Sequence, residues 1–149
     1  MSRAVLGFAA ALAFTLGGCI NEETRLYEIE LDGQVAVTDG APSAGAVHLE
    51  FHVAKTFGEG ELAHPLGEFD RRTLAGVGPV RETLLYPLDV GDGLVVYGWL
   101  DSDGDGILCA PGQTEEPAGL VRVRGFPAHA LSFSLTLRTP CVGPESLYP

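Results

Sequence analysis

Leu131-Ser132-Phe133-Ser134-Leu135-Thr136-Leu137 alternates large apolar and small hydroxyl side chains without a break, and that alternation decides the fold class. Successive side chains of a β-strand point to opposite faces, so this segment lays Leu131, Phe133, Leu135 and Leu137 on one face and the hydroxyls on the other. Working outward, Leu120, Val121 and Val123 with Arg122 and Arg124 predict the preceding strand, and Pro127 marks the connection. Leu94 to Leu100 is almost continuously apolar, as a central strand requires. Gly98, between Tyr97 and Trp99, implies a bulge or a close backbone approach. Val47, Leu49, Phe51 and Val53 alternate with His48, Glu50 and His52, and a further strand is expected from Glu82 to Leu88. Tyr27, Ile29 and Leu31 alternate with Glu28 and Glu30; Asp32-Gly33 then precedes Val35 and Val37, which is the Asp-Gly signature of a hairpin turn. About seven short strands joined by turns predict an all-β fold, an antiparallel β-sandwich.

The segment Phe57 to Val80 breaks the pattern. Gly58, Gly60, Pro65, Gly67, Gly76, Gly78 and Pro79 interrupt it, and only Glu68 to Ala75 offers a helical turn or two. It reads as a long loop, and loops of that length in compact domains often carry function, so a partner is expected to be met either there or at the loops around Asp101 to Asp105.

The chain has 149 residues, with Lys+Arg 9 against Asp+Glu 20 and a net charge of −11. A phosphate backbone is held by clustered cations, whereas here Lys55 is the single lysine and the arginines are scattered, so nucleic acid is excluded as a partner. The negative field favours cations or basic partners, and its plainest use is solubility.

The N-terminus has the three parts of an export signal: a basic start at Arg3, an apolar run from Ala4 to Leu16, and small residues before a cysteine. The run is too short to cross a bilayer, which takes roughly 20 apolar residues. Leu16-Gly17-Gly18-Cys19 resembles the lipobox of bacterial lipoproteins. That resemblance implies that residues 1–18 are a signal peptide, that Cys19 becomes the lipidated N-terminus carrying acyl chains such as palmitate, and that the protein is anchored to a membrane without spanning it. Each buried methylene is worth about 0.8 kcal/mol and two chains give stable anchoring. In such proteins an Asp after the cysteine retains them at the inner membrane; Ile20 stands there, which implies the outer membrane of a two-membrane envelope. Residues 19–24 then form a short polar tether, and residues 25–149 the domain. An ordinary secretory signal cleaved elsewhere is the alternative.

Export leaves Cys109 and Cys141 as an even pair, most simply one disulfide, worth roughly 3–4 kcal/mol in the chain-entropy picture. Neither has a CxxC neighbour that would favour a reactive thiol or a metal site.

Asp101-Ser102-Asp103-Gly104-Asp105-Gly106 resembles the DxDxDG calcium loops of EF-hands and related modules. In a tight loop the alternate side chains of Asp101, Asp103 and Asp105 converge as hard oxygen donors, Gly106 permits the turn, and the Ile107 carbonyl completes another ligand. The twelfth loop position, a bidentate Glu in EF-hands, is Gly112, so Glu115 or Glu116 must fold back, or water must serve. With this reduced set, Ca²⁺ affinity is expected at about 10⁻⁴ to 10⁻³ M. An acidic Asp-Gly turn without an ion remains the alternative. Leu94 to Cys109 also resembles calcium-stapled sandwich domains of the transthyretin-like or carboxypeptidase-regulatory type.

His48, Glu50 and His52 share a strand face, but positions i and i+4 stand about 13 Å apart, which favours a solvated surface over a shared transition metal. No G-x-S-x-G elbow is present. The sequence therefore predicts a non-catalytic, lipid-anchored envelope domain, ordered by calcium, that binds or scaffolds an envelope protein, a peptide or a glycan. The alternative is a small envelope hydrolase using Asp or Glu with His48 or His52.

Overall fold

The period-two segments become strands that each bury one face. The computed structural model describes residues 25–57, 61–109, 115–139 and 143, with the backbone alone at 57 and 61–66. Among them run β1 (Leu26–Val37), β2 (Ala46–Phe57), β3 (Glu61–Leu74), β4 (Gly78–Pro87), β5 (Gly93–Asp101), β6 (Ala118–Arg122) and β7 (Ala130–Leu137). They form two sheets, ordered β4-β1-β7 and β3-β2-β5-β6, packed as an all-β sandwich. The leader, Cys19, the tether, Gly112 and Cys141 lie outside the described residues.

Between the sheets, Ile29, Leu31 and Val35 from β1 and Leu131, Phe133, Leu135 and Leu137 from β7 meet Leu49, Phe51, Leu94, Val96 and Leu100 from β2 and β5. Each side chain of this size stabilises the fold by about 1.5–3 kcal/mol when fully buried. β5 is buried along its whole length. Its inner residues enter this core, and on its outer face Tyr97 and Trp99 pack with Ala118, Leu108 and Leu120. Gly98 makes a close approach and no bulge: β5 pairs with β2 in unbroken register, and a Cβ here would stand 2.8 Å from both Leu135 Cδ2 and Leu49 Cδ2.

Three expectations are corrected. Asp32-Gly33 is no hairpin turn, because β1 runs straight through it, paired with β4 on one side and β7 on the other. Residues 29, 31, 33 and 35 keep one parity, so the strand loses nothing by continuing. Gly33 is instead the seat of Phe133, whose Cε1 would lie 2.1 Å from a Cβ at that position. The segment 57–80 is mostly strand, with no helical turn at Glu68 to Ala75. β3 is the outer strand of its sheet, and its ladder with β2 shifts register at three places, so Pro65 and Gly67 sit where an edge and bulges tolerate them. Gly78 and Pro79 open β4, which begins earlier than Glu82. Finally, the pairing is not purely antiparallel: β7 lies parallel to β1, with Gly33 opposite Phe133.

The open side of the sandwich between β3 and β4 is crossed by Arg72, whose Nε donates to Glu82 Oε2 at 2.9 Å while another nitrogen of the same guanidinium donates to Asp70.

Candidate metal centre

Asp101 ends β5, and the next residues form a loop of consecutive turns that folds onto the end of the sheet. Gly104 and Gly106 hold φ of +80° and +72°, a region that side chains with a Cβ rarely adopt, and this lets the chain reverse twice within a few residues. Asp101 Oδ1 accepts the Gly104 amide at 2.7 Å and Oδ2 the Gly106 amide at 3.1 Å. Asp103 Oδ1 accepts the Asp105 amide at 3.2 Å, and Asp105 Oδ1 the Ile107 amide at 2.8 Å. Such side-chain to backbone bonds are the usual chemistry of Asx turns, and they curl the loop.

The fourth carboxylate comes from beyond the loop. Glu116 is 1 % exposed; its Oε1 accepts the Ser102 amide and its Oε2 the Cys109 amide, each at 3.0 Å, so one side chain ties both ends of the loop. Carboxylate oxygens of Asp101, Asp103, Asp105 and Glu116 all lie within 4.8 Å of one another. Oxygens bound to one Ca²⁺ at 2.3–2.6 Å can be no more than about 5 Å apart, so the four fall inside that limit. Asp101 and Glu116 are buried, whereas Asp103 and Asp105 are exposed. Gathered anions repel, and burial raises the cost of their charge, so a cation is the natural complement. This cluster of Asp and Glu residues could hold a metal ion.

The structure therefore brings together Asp101, Asp103 and Asp105 and selects Glu116 over the exposed Glu115. Ile107 joins through its amide, and its side chain is 59 % exposed. Cys109 is disulfide-bonded and has a φ of 60°, just where its amide reaches Glu116.

Comparison with protein-family models, with curated proteins and with solved structures returned no match.

His48, Glu50 and His52 do share the outer face of β2, but they divide. His52 Nε2 meets Glu50 Oε2 at 2.9 Å and the histidine is 7 % exposed, covered where a solvated residue was expected. His48 stacks on Trp99 with ring centroids 4.3 Å apart, its Nδ1 lies 3.3 Å from Thr73 Oγ1, and its Nε2 lies 3.9 Å from Asp101 Oδ2. The tertiary fold alone reveals this neighbourhood, since Thr73 comes from β3, Trp99 from β5 and Asp101 from the end of β5. Only the register of β2 against β5, which sets His48 opposite Trp99, could have announced it.

Proposed function

We propose that this protein is a lipid-anchored envelope domain that presents a rigid, calcium-braced β-sandwich to a partner and performs no catalysis itself. The observation that carries the calcium part is the arrival of Glu116 at the aspartate loop. It supplies the ligand that the missing twelfth-position Glu leaves wanting, and a four-carboxylate oxygen set suits a hard cation such as Ca²⁺. The Leu16-Gly17-Gly18-Cys19 resemblance supports the anchor. Calcium at about 10⁻⁴ to 10⁻³ M affinity would be bound where the ion is plentiful, outside the cytoplasm, which agrees with export. The disulfide at Cys109 agrees with an oxidising compartment too, and Cys141 is its proposed partner.

The test of the anchor is fractionation of a Cys19→Ser variant together with mass spectrometry of the parent. Release of the variant into the soluble fraction and an acylated N-terminal Cys19 in the parent are expected. Equal membrane association of both, with an unmodified thiol, overturns the reading.

A hydrolase is the second reading, and one arrangement favours it: Thr73 Oγ1, His48 and Asp101 stand in series. The 3.9 Å between His48 Nε2 and Asp101 Oδ2 is too long for a hydrogen bond, and that oxygen already accepts the Gly106 amide, so the series is broken at its last link. Turnover of a generic ester that disappears in Thr73→Ala would restore the hydrolase reading.

A further inference from the structure

Among the described residues, backbone hydrogen bonds join the two sheets at one seam, between the outer strands β6 and β7. Ala118 and Arg138 exchange both backbone hydrogen bonds, at 2.8 and 2.9 Å. Continuing that antiparallel register would set Leu120 opposite Thr136, Arg122 opposite Ser134 and Arg124 opposite Ser132. The pairing stops after the first step. Where it stops, a cleft of about 450 Å³ opens, lined by Val121, Arg122, Arg124, Ser132, Phe133 and Ser134.

Both walls of this cleft are strand edges. Leu137 gives its carbonyl to Thr38 in the ladder with β1, so the odd residues of β7 bond β1 and the amides and carbonyls of Ser132, Ser134 and Thr136 face the seam. The Val123 amide bonds the Leu94 carbonyl in the ladder with β5, so by the same alternation the backbone groups of Leu120 and Arg122 face the seam from the other side. Unpaired edge groups are a template for a further strand.

Cationic side chains line this edge. Arg25, Arg71, Arg72 and Arg81 are each paired with carboxylates. Arg122 and Arg124 make no side-chain hydrogen bond or ion pair among the described residues, in a chain with a net charge of −11. Two guanidiniums and a row of backbone groups that have no partner among the described residues, set beside hydroxyls, suit carboxylates. We infer that the β6–β7 cleft binds an extended acidic peptide segment of a partner protein. The segment adds as a strand to β7, its carboxylates meet Arg122 and Arg124, and its alternate apolar side chains meet Val121 and Phe133. The inference rests on reading the domain as a binding module and names the partner's chemistry.

The test uses the full chain and a fluorescent peptide of about ten residues alternating Glu and Val, with two controls: Lys in place of Glu, and the same acidic peptide N-methylated at alternate residues. Saturable binding of the acidic peptide is expected. It should weaken about tenfold or more in Arg122→Gln/Arg124→Gln and on N-methylation, with amide resonance shifts at Ser132 and Ser134. Should the double variant melt early, Arg124→Gln alone, at an exposed position, provides the comparison. Equal binding of the Lys peptide, unchanged binding by the variants, or no binding of the acidic peptide overturns the inference. Crosslinking in intact envelopes separates the two claims. A partner captured equally by wild type and the double variant removes the cleft and keeps the binding module, whereas no captured partner removes the module.

Discussion

The carboxylate of Glu116 and the amide of Ser102 meet at 3.0 Å across a sequence separation of 14 residues, and the same carboxylate holds the Cys109 amide. Glu116 thus closes the acidic loop from below while leaving Asp103 and Asp105 exposed at its mouth. Asp101 is buried with it, and each of the three aspartates also accepts a backbone amide of the loop.

Calcium should raise the melting temperature and EDTA should reverse the rise. At ten times its dissociation constant a ligand stabilises by about 1.4 kcal/mol, which for a domain of this size corresponds to roughly 5 °C. Asp103→Asn and Asp105→Asn, at exposed positions, should abolish the calcium increment and leave the metal-free melting temperature nearly unchanged. Glu116→Ala should lower the metal-free value as well, because two backbone amides lose their acceptor. Differential scanning calorimetry with and without Ca²⁺ decides it, and a melting point indifferent to both ion and chelator would sink the calcium assignment.

The disulfide partner is open to direct chemistry. A non-reducing digest should yield one crosslinked peptide pair containing Cys109 and Cys141, and reduction should destabilise the domain by roughly 3–4 kcal/mol. Finding Cys141 as a free thiol would refute the pairing.

Gly33→Ala should cost about 1–3 kcal/mol by overpacking against Phe133. Trimming the ring with Phe133→Leu in the same chain should recover part of that loss, so the two substitutions should couple in a double-mutant cycle. Additive effects in denaturant titrations would contradict the seating of Phe133 over Gly33.

Tyr86 gives an alkaline signature. Burial, reinforced by the Asp92 charge, pushes its phenol up to about 12, and its hydroxyl donates to the Gly93 carbonyl at 2.9 Å. A folded-state value above the ordinary 10 means that the folded protein holds the proton more tightly, so this stability is intact below pH 10 and is lost as pH rises from about 10 to 12. Tyr86→Phe should cost about 1 kcal/mol at neutral pH and flatten that part of the stability profile. Identical alkaline profiles for parent and variant would overturn the assignment.

Much of the fold was legible because burial on one side of a sheet imposes a period of two. β7, β2 and β5 follow directly from their alternating or unbroken apolar runs. What misled was glycine and proline. Asp32-Gly33 carries turn chemistry, yet Gly33 serves a contact with a ring arriving from a strand 100 residues later, and no local pattern encodes that. Pro65 and Gly67 forbid a regular central strand but not a bulged outer one, and whether a strand is outer is a property of the sheet. The candidate site divides in the same way. Asp101, Asp103 and Asp105 announce themselves by spacing, and the pair Glu115-Glu116 offers the fourth acid without saying which, but the environment of His48 assembles from β2, β3 and β5 and leaves no mark on the sequence.

By itself, then, the sequence determined which residues face inward, that the class is all-β, and that three aspartates curl one loop, because these follow from interactions over a few residues. The tertiary structure alone decided the partners: β7 parallel to β1, Phe133 on Gly33, Glu116 beneath the loop, and two strand edges that meet at Ala118 and Arg138 and then part. Those outcomes depend on how separated segments share one core and one seam, where packing and hydrogen bonding between distant residues select among arrangements that local propensity leaves equal.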